Sequence, residues 1–200
     1  MKRAAMAGFA AGAAMMIGGA LGAVSNTDPK LAPEPSFQSM NPMIGGQAML
    51  ADRDIMDNMA ASPLHSTMVA DFKETGVASA LKANGQFTVF APTNAAFAAA
   101  GPTSKSSLAR RMSYLIVPGK YDSQALLRVI GEAGGEAKLR TAEGGILTAR
   151  MNGPTNIAIM DEKGNIANIA IYDVHDRNGI VHVVDRVMEP SGPARQLAEK

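Results

Sequence analysis

The chain has 200 residues, enough for about one domain with additional segments, and it contains no cysteine. The lack of cysteine excludes disulfide bonds, thiolate catalysis and cysteine metal clusters. A formal charge of only +1 gives no electrostatic footprint for nucleic acid.

The N-terminus has the layout of a secretory signal peptide. The short basic start Met1-Lys2-Arg3 precedes an uncharged run, Ala4–Val24, that ends in small residues. This pattern predicts a signal peptide over residues 1–23, cleaved near Ala23. The alternative is an uncleaved membrane anchor, but Ala and Gly contribute little to membrane insertion. We expect an exported, soluble mature protein that is periplasmic, at the cell surface or extracellular.

A leader rich in Pro and Met follows, over residues 24–51. In its first part, Ser25–Asn41, prolines and scattered polar residues cannot bury a core, so we expect a flexible or extended segment there. Pro42–Leu50 is apolar but broken by glycines, and is expected to lie against the domain without a regular element. Three methionines here, Met40, Met43 and Met49, are free of helical core patterns. Thioethers select Cu(I), so copper handling in the envelope is an alternative function.

The globular part is predicted over residues 52–190, followed by a flexible tail over 191–200. It begins with three short helices, ended by Ser62-Pro63, Gly76 and Asn84-Gly85. Their inward faces follow helical spacing: Ile55, Met56 and Met59, then Met68, Val69 and Phe72, then Val77, Ala80 and Leu81.

A buried strand and a helix start follow in Phe87–Phe97. Aromatic and β-branched residues predict a strand over Phe87–Ala91 with both faces covered, and Pro92 ends it. Thr93 or Asn94 can cap the next helix, which places Phe97 on its inner face.

The sequence pattern of the second half of the chain predicts mainly strands. A short helix over Ser107–Met112 is expected to turn Arg110 and Arg111 outward. Helix Ser123–Glu132 is expected to bury Leu126, Leu127 and Ile130. Turn signals separate strands predicted at Ser113–Val117, Ala137–Thr141, Ile146–Met151, Asn156–Met160, Ile166–Tyr172 and Ile180–Met188. The fold class is therefore α+β, with short helices packed on an antiparallel sheet.

Three segments, in order, resemble the motifs of the fasciclin domain family. Thr88–Phe97 resembles its first signature, Tyr114–Tyr121 its middle segment and Asn178–Pro190 its second signature. The resemblance covers about Asp52–Pro190 and implies a β-sandwich or wedge of about seven strands flanked by helices. The family often has Tyr-His in the middle segment, whereas Leu115 follows Tyr114 here. The receptor adhesion associated with that dipeptide in animal members is therefore not carried over.

The histidines are interpreted as structural. His182 lies in an alternating strand beside Ile180 and Val184 without a nucleophile nearby in sequence, which favours a hydrogen-bonded core or edge residue. With His175, Asp173 and Asp176 it could form a metal set, but the spacing is not a known ligand pattern. His65 follows Pro63 at a helix start and is expected to face solvent.

Other absences decide against an enzyme. Gly134-Gly135 and Gly144-Gly145 precede strands, so neither is a phosphate-cradling loop, and no carboxylate pair lies in an apolar setting. We therefore assign no catalytic, cofactor-binding or metal residue and no cofactor. We expect a monomeric, non-catalytic binding or adhesion module with a cell-surface, matrix-protein or glycan ligand. No nucleic acid partner and no membrane span after signal cleavage are expected. A hydrolase without recognisable motifs is the third alternative.

Overall fold

The structure is a computed structural model, and it describes residues 41–82 and 85–192. The predicted signal peptide, the leader up to residue 40 and residues 193–200 of the tail lie outside the described residues, as does Asn84. In the described part, no helix combines the length and apolar character needed to cross a membrane.

Six α-helices and nine strands are described. The helices are α1 (Ile55–Ala61), α2 (Ser66–Glu74), α3 (Val77–Lys82), α4 (Asn94–Ala100), α5 (Lys105–Tyr114) and α6 (Ser123–Glu132), with a 3₁₀ turn at Pro63–His65. The strands are β1 (Met43–Ile44), β2 (Gln47–Ala48), β3 (Phe87–Pro92), β4 (Ile116–Pro118), β5 (Glu136–Arg140), β6 (Ile146–Asn152), β7 (Asn156–Met160), β8 (Ile166–Asp176) and β9 (Gly179–Val184). The α+β class is confirmed.

The main sheet is mixed, so the expected antiparallel sheet is wrong at its centre. Its order is β4-β3-β9-β8-β7-β6-β5, and β3 runs parallel to β9 while the other pairs are antiparallel. A meander pattern cannot reveal this pairing, because β3 and β9 come from opposite ends of the domain. Hydrogen bonds from the Ala142 amide to the Ile116 carbonyl (2.7 Å) and from Tyr114 to the Ile146 carbonyl (2.7 Å) link the two ends of the sheet. The sheet is therefore nearly a closed barrel, not a sandwich.

Residues 42–50 form a regular element, contrary to expectation. Gly45 and Gly46 both adopt positive φ (60° and 80°), which suits a two-residue hairpin turn between β1 and β2. Ile44 and Met49 are fully buried in the main hydrophobic core. The hairpin therefore packs as part of the folded unit.

The cap of α4 is confirmed at Thr93. Its Oγ1 accepts a hydrogen bond from the Ala96 amide (3.3 Å), as an N-cap does. Asn94 does not cap α4. Its Oδ1 accepts a hydrogen bond from the Thr67 amide (3.0 Å) at the start of α2. The first motif therefore links two helices to the end of β3.

One predicted strand boundary and several predicted side-chain orientations are wrong. The predicted strand Ser113–Val117 begins only at Ile116, because α5 continues to Tyr114 and buries Leu108, Arg111, Met112 and Tyr114 along one face. Arg111 thus points inward, while Leu127 in α6 is 46% exposed and Val129 takes the inward position. Ala80 in α3 is also exposed.

Strands β3 and β9 approach each other closely at Gly179. A Cβ at Gly179 would stand 2.0 Å from the Phe87 carbonyl oxygen and 2.9 Å from the Ile55 side chain. Only a residue without a side chain fits beside β3 at this point. Gly179 therefore fixes the register in which the two strands pair.

Replacing Gly179 by Ala should destabilise the fold by at least about 1–3 kcal/mol, because the new methyl group has no space. The matched control is Gly131→Ala in α6, where the added methyl group meets no atom within 4 Å beyond its own helix backbone and helix propensity improves. Urea denaturation of both variants measures the difference. Equal midpoints would show that β3 and β9 do not pack this closely.

Candidate functional site

His182 lies at the centre of a hydrogen-bonded cluster that joins the two signature segments to the middle one. Its Nε2 is 2.7 Å from the Tyr121 carbonyl oxygen, and its Nδ1 accepts from the Asp173 amide at 3.3 Å. A ring that donates at Nε2 and accepts at Nδ1 is neutral. The imidazole stacks on Phe90 with ring centroids 5.7 Å apart, and the residue is fully buried. Burial lowers the pKa of His182, in keeping with a neutral ring.

Thr88 completes this cluster from β3. Its hydroxyl donates to the Gly119 carbonyl (2.7 Å) and accepts from the Tyr121 amide (2.9 Å). Thr88 and His182 therefore hold the same turn, residues 119–121, from adjacent strands. Every polar atom of both side chains is used in hydrogen bonds inside the protein.

Asp173 occupies a strained position beside the cluster. It is the one non-glycine residue with positive φ (57°) in the described part of the chain, and it lies where β8 departs from regular pairing. Its Oδ1 accepts a hydrogen bond from the Ser123 amide (2.7 Å) at the N-terminus of α6. A carboxylate is favourable there because the helix dipole places positive charge at that end. Backbone strain here serves helix capping.

Asn178 joins three elements where β3 and β9 begin. Its Oδ1 accepts from the Ile55 amide (2.9 Å), and its Nδ2 donates to the Leu81 carbonyl (2.8 Å). Its own carbonyl accepts from the Phe87 amide (3.1 Å). The Asn-Gly pair of the second signature therefore positions α1, α3 and β3.

The possible metal set is not assembled. No group of three His, Asp or Glu side chains suited to a metal ion occurs among residues 41–82 and 85–192. His182 and Asp173 make the internal contacts described above, Asp176 bonds to Asn58, and His175 is exposed. Of the leader methionines, Met43 is 59% exposed, Met49 is buried in the core, and Met40 lies outside the described residues. A copper site that uses Met49 would have to unpack the core.

His65 is buried, so its expected solvent exposure is wrong. Its Nδ1 is 3.0 Å from the Ser62 hydroxyl, and burial lowers the pKa of His65 to about 4. A Ser–His contact is the pattern of an activated nucleophile. Here both residues are inaccessible, at 2% and 0% exposure, and the serine hydroxyl also accepts from the Leu64 amide. In this structure the pair caps the 3₁₀ turn.

Asp176, named in the sequence only as a possible metal ligand, is a buried carboxyl group. It is 3% exposed; Oδ1 accepts from Asn58 Nδ2, and Oδ2 has no hydrogen-bond partner among the described residues. Burial raises the pKa of Asp176 to about 7, and nearby Asp54 also raises it. Asn58 additionally bonds both the amide and the carbonyl of Leu50 (3.0 and 2.8 Å), so it ties the N-terminal hairpin segment to β8.

In one surface cleft, three cations are paired with two carboxylates. The cleft has a volume of about 300 Å³ and lies between α5 and the turn after β7. Arg111 and Lys163 both pair with Glu189, and Arg110 pairs with Glu143 at 2.6 Å. The pKa of Glu189 is lowered by its hydrogen bond to Lys163, so this carboxylate is held ionised. Arg111, expected outside, is thus a buried structural cation.

Replacing His182 by Ala should lower the free energy of unfolding by roughly 1–3 kcal/mol, because two internal hydrogen bonds lose their partner. The folded pKa is lowered, so the unfolded chain binds a proton first as the pH falls below about 6.5. The variant should therefore lose stability less steeply in that range than the parent chain. Denaturation curves at several pH values measure both effects. His175→Ala, at an exposed position, is the control, and an equal effect of both would refute the structural role.

Replacing Asp176 by Asn should stabilise the fold above neutral pH. The folded pKa of about 7 exceeds the ordinary value of 3.8, so the folded chain keeps a proton that the unfolded chain has lost. The contribution of Asp176 to stability therefore falls as the pH rises from about 4 to 7, by up to about 4 kcal/mol. Thermal melts at pH 5 and pH 8 test this, with Asp57→Asn as the exposed control. A variant without a gain at pH 8 would contradict it.

Comparisons with known proteins agree with this arrangement. The Fasciclin domain family matches residues 63–190. Protein sll1483 of Synechocystis sp. is 34% identical over 146 residues, which cover 68% of this chain and 73% of that protein. The transforming growth factor-beta-induced protein ig-h3 of Sus scrofa is 27% identical over 73% of this chain, but this region is only 20% of its length.

A solved structure has the same fold. It is the FAS1 domain pair from the insect cell adhesion molecule Fasciclin I, with a TM-score of 0.53 at 18% identity. The match covers 61% of this chain and 44% of that one. The segments that resemble the family motifs are the ones that meet around His182, Thr88 and Asn178, and the chain belongs to the fasciclin domain family.

Proposed function

We propose that this chain is an exported, monomeric fasciclin module that binds a cell-surface or matrix component and catalyses no reaction. The main support is the use of the signature side chains. Thr88, Asn94, Asn178 and His182 all make hydrogen bonds to backbone atoms within the domain. Residues of these types would be candidates for chemistry if they faced a cleft, but here they hold the fold. We therefore expect the binding residues to lie on the surface of the domain.

The buried polar pairs offer no alternative reaction. Ser62–His65 and Asn58–Asp176 are both inside the domain, and each of these four residues is at most 3% exposed. A nucleophile or general acid must reach a substrate at hydrogen-bonding distance. A hydrolase that used either pair would require local unfolding of the core.

The relatives favour adhesion or binding. The solved structural relative is a cell adhesion molecule, and this chain shares its fold. Export is supported by the basic start, the uncharged run and the small residues before Val24. A binding module outside the cytoplasm needs no cysteine or cofactor to act.

Export and binding are tested with the full chain expressed in a Gram-negative host. Mass spectrometry of the periplasmic and medium fractions should give a mature N-terminus near residue 24. Beads coated with the purified mature chain should attach to intact cells or to isolated envelope, whereas beads coated with albumin should not. An intact Met1 in the membrane fraction would contradict export, and attachment no better than with albumin would contradict binding.

A further inference from the structure

The side of strands β5 to β8 that faces away from the core carries several accessible side chains. Its residues follow from the strand register, which places Lys138, Thr148, Met160 and Ile166 in one row across four strands. A second row contains Glu136, Arg150, the fully buried Ala158 and Asn168, and Arg140 pairs with Ile146 at the end of β5. The alternate residues, such as Leu139 and Leu147, face the core. We refer to these ten outward positions as the outer face.

Unneutralised positive charge marks one side of this face. Lys138 and Arg140 are exposed on β5, and neither has an ion-pair partner among residues 41–82 and 85–192. Arg150 on β6 meets Glu136 only at 3.6 Å, with both side chains well exposed. The cations Arg110, Arg111 and Lys163 of the cleft beside α5, in contrast, each have an ion-pair partner in Glu189 or Glu143. A chain with a net charge of only +1 therefore places three cations and one carboxylate on this face.

Aliphatic side chains form the centre of the same face. Ile146, Met160 and Ile166 are partly exposed and lie outside the main core cluster. They therefore add some accessible apolar surface to the outer side of the sheet. Together with the methyl group of Thr148 they make a shallow apolar strip beside the charged strand.

We propose that the outer face binds an extended acidic segment of a partner protein, with aliphatic side chains on the strip and carboxylates beside Lys138 and Arg140. This inference rests on the proposed binding function and narrows its ligand class. Strands β5, β6 and β7 and residues 166–170 of β8 contain no aromatic residue, so the face lacks the stacking surface that sugars or bases use. Carboxylates complement the unpaired cations, and the strip requires a ligand that also carries apolar groups.

Edge protection explains only part of this pattern. Charged residues on an edge strand discourage pairing with other chains, and Lys138 and Arg140 suit that role. Edge protection does not require Arg150 on the inner strand β6, nor the partly exposed Ile146, Met160 and Ile166. The combined charge and aliphatic strip therefore point to a partner.

The test uses the mature chain and a fluorescent peptide that alternates Asp or Glu with Val or Leu. Two matched peptides replace either its acidic residues by Gln and Asn or its aliphatic residues by Ser. Fluorescence anisotropy at low ionic strength should show binding of the first peptide, at least 10-fold weaker binding without the acidic residues, and at least 3-fold weaker binding without the aliphatic ones. Binding should also weaken with added salt.

Charge reversal then locates the site. The double variant Lys138→Glu/Arg140→Glu should weaken peptide binding at least 10-fold. The double variant Lys73→Glu/Lys82→Glu reverses two exposed lysines on α2 and α3 that have no ion-pair partner among the described residues, and should leave binding within 2-fold. Circular dichroism and thermal melts confirm that both variants fold. Equal losses in both variants, or no loss in the first, would overturn the proposal.

Two further probes identify the class of ligand. Alginate and vesicles containing phosphatidylglycerol are tested with the same variants. If the outer face binds either of them more tightly than it binds the peptide, the assignment to a protein segment is overturned. If bead attachment to cells persists in the Lys138→Glu/Arg140→Glu variant, the outer face is the wrong site but the binding function stands. If the parent chain attaches to nothing, the proposed function itself fails.

Discussion

The parallel pairing of β3 with β9 is the constraint on which the rest of the structure depends. It brings together strands from the start and the end of the domain. At Gly179 the strands are so close that no side chain would fit between them. Thr88 on β3 and His182 on β9 then fasten the turn at residues 119–121, and Asn178 fastens α1 and α3. Because these contacts span long sequence separations, they determine which helices and turns surround the sheet. The signature motifs are thus explained by their internal hydrogen bonds.

Local patterns predicted the elements well where one physical signal dominated. Helix Ser123–Glu132 and strand Asn156–Met160 have the predicted bounds, because a capping residue or a turn lies at their ends. The strand, proline and cap in Phe87–Phe97 were also predicted, and so was the structural role of His182. In each case the residues that decide the structure are neighbours in sequence.

The errors arise where distant residues decide. Arg111 reads as a surface cation, but Glu189, far away in sequence, pairs with it inside the domain. His65 follows a proline and reads as solvent-facing, yet the surrounding helices bury it. The parallel pairing of β3 and β9 leaves no mark in the spacing of turns. The outer face was missed for a similar reason, because Lys138, Met160 and Ile166 become neighbours only through strand register.

The histidine of the second signature is an internal, neutral support of the fold. Nitrogen-15 NMR of the imidazole of His182 tests this most directly, over a range of about pH 5 to 8. We expect a protonated Nε2, a bare Nδ1 and no titration near the ordinary histidine value, since burial lowers the pKa. A ring that titrates near pH 6.5, or exchanges between the two neutral forms, would contradict it.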